Sequence, residues 1–94
     1  MLYTAKCFWP GVTESTLRSA AARAERLSEE QPRTIFGGAL YLPGDELALC
    51  LFDSSSRGDV RNASDRIGIP CERVIETVWI AATRQRNWNG PDAR

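Results

Sequence analysis

Leu47-Ala48-Leu49-Cys50-Leu51-Phe52 is a run of six apolar residues in succession. A sheet with one wet face alternates apolar and polar residues with period two, so an unbroken run predicts a central strand shielded on both faces. Six residues between Gly44-Asp45 and Asp53-Ser54 is strand length rather than helix length. Three other segments read as strands: Leu2 to Trp9, Thr34 to Leu42 and Arg73 to Ile80. In the last, Val74, Val78 and Ile80 share one row, interrupted by Glu76, while Ile75 and Trp79 point the other way. The Gly37-Gly38 pair predicts a bulge or a close backbone approach. Pro43-Gly44-Asp45 suits a type II turn joining the second and third strands as a hairpin.

Two segments repeat at helical spacing. Leu17, Ala20, Ala21, Ala24 and Leu27 make one apolar stripe of a helix that ends near Glu29 or Glu30. Thr13 is its expected N-cap, with Val12 and Leu17 at the staple positions on either side. Gln31-Pro32 ends it, because proline disfavours a helical residue before it. Val60, Ala63 and Ile67 form the stripe of the second helix, which Ser54-Ser55-Ser56 can cap and Gly68 and Pro70 close. Asp59 complements its dipole, and Arg57, Arg61 and Arg66 read as a solvated face.

The order β-α-β-β-α-β is that of a ferredoxin-like α+β fold, a four-stranded antiparallel sheet with both helices on one face. Its other face then carries apolar side chains, a larger patch than monomers usually expose, so the chain is expected to be a homodimer through that face. Residues 1–82 are read as this domain and 83–94 as a polar, flexible tail in which Trp88 is the one docking candidate.

Composition narrows the function classes. The chain has 94 residues, 12 basic and 12 acidic, so it lacks the basic field of a nucleic-acid binder. No stretch approaches a membrane span, and the N-terminus lacks the pattern of a signal peptide, so a cytoplasmic location is expected. Cys7, Cys50 and Cys71 are an odd count without close pairs, which fits neither a disulfide framework nor a zinc site. Cys7 and Cys50, on neighbouring strands, can share a soft metal or form a redox pair; burial as small hydrophobes is the plainer reading. Cys71 falls in the loop after Pro70.

The run Cys50-Leu51, Asp59-Val60, Asp65-Arg66-Ile67-Gly68-Ile69-Pro70 and Val74-Ile75-Glu76 resembles a family of small actinobacterial-type domains of unknown function. That family includes a dimeric nickel-binding protein with a ferredoxin-like fold, and the resemblance spans most of residues 2 to 81. It implies the same fold and a dimer. The histidines it implies for nickel fall at Lys6, Ser64, Ile69 and Ile75. The chain has no histidine, and lysine or isoleucine does not replace imidazole or thiolate as a nickel ligand at neutral pH. No cofactor is therefore expected.

The candidates for a ligand pocket or interface are Tyr3, Lys6, Cys50, Phe52, Glu76 and Trp79. Glu76, beside Val74 and Val78, is expected to be partly buried with its pKa raised, either as a general base or paired with Lys6. Aromatics on the strands fill core and interface or line an apolar pocket. The expected function is a non-enzymatic homodimeric domain that binds a small apolar ligand or a protein partner. The alternative is a dimeric α+β-barrel enzyme, monooxygenase-like or isomerase-like, using Tyr3, Lys6 and Glu76 on a small apolar substrate.

Overall fold

The computed structural model describes residues 1–84; the C-terminal part of the tail, with Trp88, lies outside the described residues. The elements are β1 (Leu2–Phe8), α1 (Glu14–Glu30), β2 (Thr34–Leu42), β3 (Leu47–Ser54), α2 (Arg57–Ile67) and β4 (Cys71–Thr77). All pairings are antiparallel and the strand order is β2-β3-β1-β4. This is the ferredoxin-like α+β fold expected from the order of elements.

Local chemistry sets the helix ends. Thr13 Oγ1 accepts the Thr16 N–H at 3.1 Å, and Val12 and Leu17 are buried together at that end of α1. Ser56 Oγ accepts the Asp59 N–H at 3.1 Å to start α2. Gly68 ends α2 in the left-handed conformation at φ +77°, and the Gly68 and Ile69 amides both return to the Ser64 carbonyl. The bulge at Gly37-Gly38 is present: the β2–β3 register shifts between Phe36 and Gly38.

The connection between β2 and β3 departs from a type II turn. Pro43–Asp45 make one 3₁₀ turn, and the positive φ falls on Glu46 at 52° rather than on Gly44. Glu46 is held there from both ends. Its carbonyl accepts from the Trp9 N–H at 2.8 Å and its carboxylate from the Gly11 N–H at 2.9 Å.

β4 is displaced from the expected Arg73–Ile80. It starts at Cys71 and stops at Thr77, which pairs with Leu2 at the beginning of β1. Beyond Thr77 no β1 residue remains to bond with, and Val78, Trp79 and Ile80 stand exposed instead of continuing a strand.

The core lies between the helices and one face of the sheet. The register places Tyr41, Ala48, Cys7 and Cys71 in one row across this face, then Ala39, Cys50, Ala5 and Val74, then Phe36, Phe52, Tyr3 and Glu76. Ala20, Ala24, Ala63 and Val60 meet these rows from above. Phe52 is the largest fully buried side chain, edge-on to Phe36 with ring centroids 5.5 Å apart.

Replacing Gly68 with Ala tests how this core is closed. A Cβ at Gly68 meets nothing within 4 Å, so the cost is conformational alone. We expect Gly68→Ala to lower the unfolding free energy by about 1–2 kcal/mol in urea titration, and Ser56→Ala by about 1 kcal/mol.

Candidate functional site

The sheet face away from the helices is built from the alternate residues of each strand. Its rows are Leu42, Leu47 and Phe8; Leu40, Leu49, Lys6 and Arg73; Gly38, Leu51, Thr4 and Ile75; and Ile35, Asp53, Leu2 and Thr77. The aliphatic residues dominate. Phe8, Ile35 and Leu40 are 51%, 50% and 46% exposed, while Leu47, Leu49, Leu51 and Ile75 are half-buried by their neighbours. Four strands about 4.8 Å apart, with seven residues at about 3.3 Å each, span roughly 450 Å² of projected area. That area, which includes Lys6, Arg73, Thr4, Thr77 and Asp53, is in the range of the largest patch on a monomer, which is often functional.

Polar groups on this face are few and largely paired among themselves. Thr4 and Thr77 share a hydrogen bond of 2.6 Å between hydroxyls. Lys6 stands directly opposite Arg73, a like-charge pair across the strands, and its ammonium lies 3.9 Å from the Glu72 carboxylate.

The six sequence candidates do not form one site. Lys6 alone of them is on the open face. Phe52 and Cys50 are enclosed between sheet and helices, and Tyr3 packs against that core from the same side. Glu76 faces the helix side opposite Tyr3 but is exposed at the end of β4. It is therefore neither partly buried nor the partner of Lys6, which is Glu72. Trp79 lies beyond β4 and is half-exposed. Tyr3, Lys6 and Glu76 thus do not share a pocket. Nor do the positions that the resemblance matched to nickel ligands: Lys6 and Ile75 are on the open face, while Ser64 and Ile69 are buried on the helix side.

An open groove of about 580 Å³ runs between α1 and the edge strand β2, with Leu17, Phe36 and Tyr41 on its apolar wall and the charged Glu14, Arg18 and Glu25 along its rim. The Tyr41 hydroxyl donates to the Val12 carbonyl at 2.8 Å and fixes its wall. Sequence reasoning missed this recess because it needs the helix and the strand edge together.

The comparisons with known proteins bear on the fold. No protein family and no curated protein matches the sequence. Among solved structures, that of SCO4226 from Streptomyces coelicolor A3(2) is similar. The TM-score is 0.73 at 18% identity, and the match covers 86% of this chain and 100% of that one. At that identity the likeness shows a common ferredoxin-like architecture.

The three cysteines come together on the helix side. Cys7 is directly opposite Cys71 on β4 and diagonal to Cys50 on β3. The neighbouring Cys50, with burial, raises the pKa of Cys7, and Cys7 lowers that of Cys50; the Cys7 thiol donates to the Ala5 carbonyl at 3.7 Å. Burial, and then the neighbouring Cys7, raise the pKa of Cys71. Arg61 opposes these shifts in Cys7 and Cys71; it is exposed, as expected of the solvated face, and its guanidinium also donates to the Cys71 carbonyl at 2.9 Å. Cys71 is not in the loop but opens β4. Among the described residues no three His, Cys, Asp or Glu side chains are arranged to hold a metal ion. No described helix is long and apolar enough to cross a membrane.

The thiols give a pH dependence whose sign can be worked out. In the unfolded chain thiols ionise near pH ~8.5. In the folded chain Cys71 keeps its proton above that pH, so the unfolded state loses protons first and stability falls as pH rises. Below ~8.5 the contribution is fully present. With reductant present, the urea midpoint of the parent should fall more between pH 8 and pH 10 than that of Cys71→Ser.

Proposed function

We propose that the chain is a non-enzymatic homodimeric binding domain whose two protomers pack open sheet face to open sheet face. The observation that carries this reading is the distribution of apolar volume. Beneath the helices the centre of the sheet carries Ala5, Cys7, Ala48 and Cys50, flanked by Tyr3, Phe36, Phe52 and Val74, and the face without helices carries Leu40, Leu42, Leu47, Leu49, Leu51 and Ile75 in addition. Each leucine or isoleucine gains about 1.5–3 kcal/mol on full burial, so leaving such a row against water forgoes much of what a small domain has for stability. A second copy supplies a matching apolar surface. Charge on the face is confined to Arg73 and two pairs, Lys6 with Glu72 and Asp53 with the N-terminus, which further supports a partner of the same composition.

The groove beside α1 stays open in such an assembly, because it lies on the helix side. It is the recess available for a small ligand with an apolar body and a polar end facing Glu14, Arg18 and Glu25. The reading includes no metal: the chain has no histidine, and the positions the resemblance matched to ligands hold Lys6, Ser64, Ile69 and Ile75.

Light scattering after gel filtration tests the assembly. The parent should elute at twice its 10.5 kDa at micromolar concentration. Leu40→Glu combined with Ile35→Glu should return it to a single chain mass with an unchanged circular dichroism spectrum. A parent that runs as a monomer would overturn the reading. Titration calorimetry with nickel should give no saturable heat.

A further inference from the structure

We propose that Cys7 and Cys71 are a site of reversible oxidation, closing a cross-strand disulfide when the protein meets a small disulfide such as oxidised glutathione.

The backbone brings the two residues into range. Directly opposite residues of an antiparallel pair lie about 4.5 Å apart at Cα when they do not exchange hydrogen bonds, and about 5.5 Å when they do. Cys71 pairs with Cys7 just past the register shift of β4; its N–H goes to the Ile69 carbonyl at 2.9 Å, and its own carbonyl accepts from Arg61. Either spacing lies within the roughly 4.4–6.8 Å that a disulfide spans. Cys50 is placed differently. It is diagonal to Cys7, at the roughly 7–8 Å typical of such neighbours and beyond that span.

Access distinguishes the thiols as well. Cys7 is fully buried and Cys50 nearly so, whereas Cys71 is only half-buried and can meet a solute. Arg61, bonded to the carbonyls of Cys71 and Glu72, lies close enough to favour the thiolates of Cys71 and Cys7 against the effect of burial.

The exchange balances without further reagents. Cys71 Sγ gives its proton to water and attacks one sulfur of oxidised glutathione. The glutathione S–S bond breaks and one glutathione leaves as a thiolate, which takes up a proton. Cys7 Sγ then attacks Cys71 Sγ, expelling the second glutathione, which takes the proton Cys7 gives up. Two cysteine thiols lose two electrons, and oxidised glutathione gains them to become two reduced molecules. The bond would tie the central strand to the edge strand and close a loop containing most of the domain.

The test uses the full chain. After incubation with oxidised glutathione at pH 8, thiol titration in denaturant should fall from three to one, and peptide mapping should recover Cys7 joined to Cys71 with Cys50 free. Dithiothreitol should restore all three thiols. The unfolding midpoint of the oxidised protein should rise by roughly 10 °C. Cys71→Ser should keep both remaining thiols under the same treatment, and Cys50→Ala should still form the link. Three titratable thiols after oxidation, a Cys7–Cys50 bond, or a Cys71–Cys71 bond between chains would each overturn the assignment.

Discussion

The helices of this protein rest on a layer of small side chains, and most of its other features follow from that. Ala5, Cys7, Ala48 and Cys50 lie beneath helices that present Ala20, Ala24 and Ala63. Small residues on both sides let the two layers approach closely at the centre, and Leu17, Leu27, Phe52, Ile67 and Ile69 supply larger buried side chains around it. The open face holds a further set of large aliphatics, Leu40, Leu42, Leu47, Leu49, Leu51 and Ile75. A monomer would keep these at its surface, whereas in the proposed dimer that face would become the middle of a second core.

The same crowding explains the thiols. Cysteine is small enough to lie beneath an alanine-rich helix and is tolerated as a hydrophobe there. Three of them fall on adjacent strands in neighbouring rows. Their proximity is a consequence of packing; their chemistry depends on Arg61, which reaches from α2 to the start of β4 and places a cation beside them.

Much of the fold was legible in the sequence because it is encoded locally. Thr13, Ser56 and Gly68 act through bonds to residues within a few positions, and the Gly37-Gly38 bulge marks itself. The candidate site was less legible. In Leu47–Phe52 every residue is apolar, so the pattern carries no phase. Nothing in it says whether Leu49 or Cys50 faces the helices. Choosing the phase requires the pairing with β1, where Lys6 lies opposite Leu49 and Ala5 opposite Cys50. Lys6 is the informative residue, because a lysine is kept from a dry core. The end of β4 was illegible for a different reason: it is set by where β1 begins, not by Val78 or Ile80. Arg61 is the surface arginine the sequence suggested, but its bonds to the Cys71 and Glu72 carbonyls were not legible, since carbonyls leave no trace in a sequence.

One irregularity sets the chemistry on both faces at once. Between Lys6 and Cys7 the register with β4 shifts: Lys6 pairs with Arg73, but Cys7 pairs with Cys71, and Glu72 is left as the extra residue. Continued without the shift, the ladder would put Glu72 opposite Cys7, with its carboxylate under α2, and turn Cys71 out to the open face. Burying an unpaired carboxylate there would cost several kcal/mol. The bulge removes that cost, frees Glu72 to approach Lys6, and turns the Cys71 thiol in beneath Arg61. Bulges recur where a strand must re-aim a side chain, and here two are re-aimed together. The charge left on the open face is partly neutralised by the step that brings two thiols into register on the other.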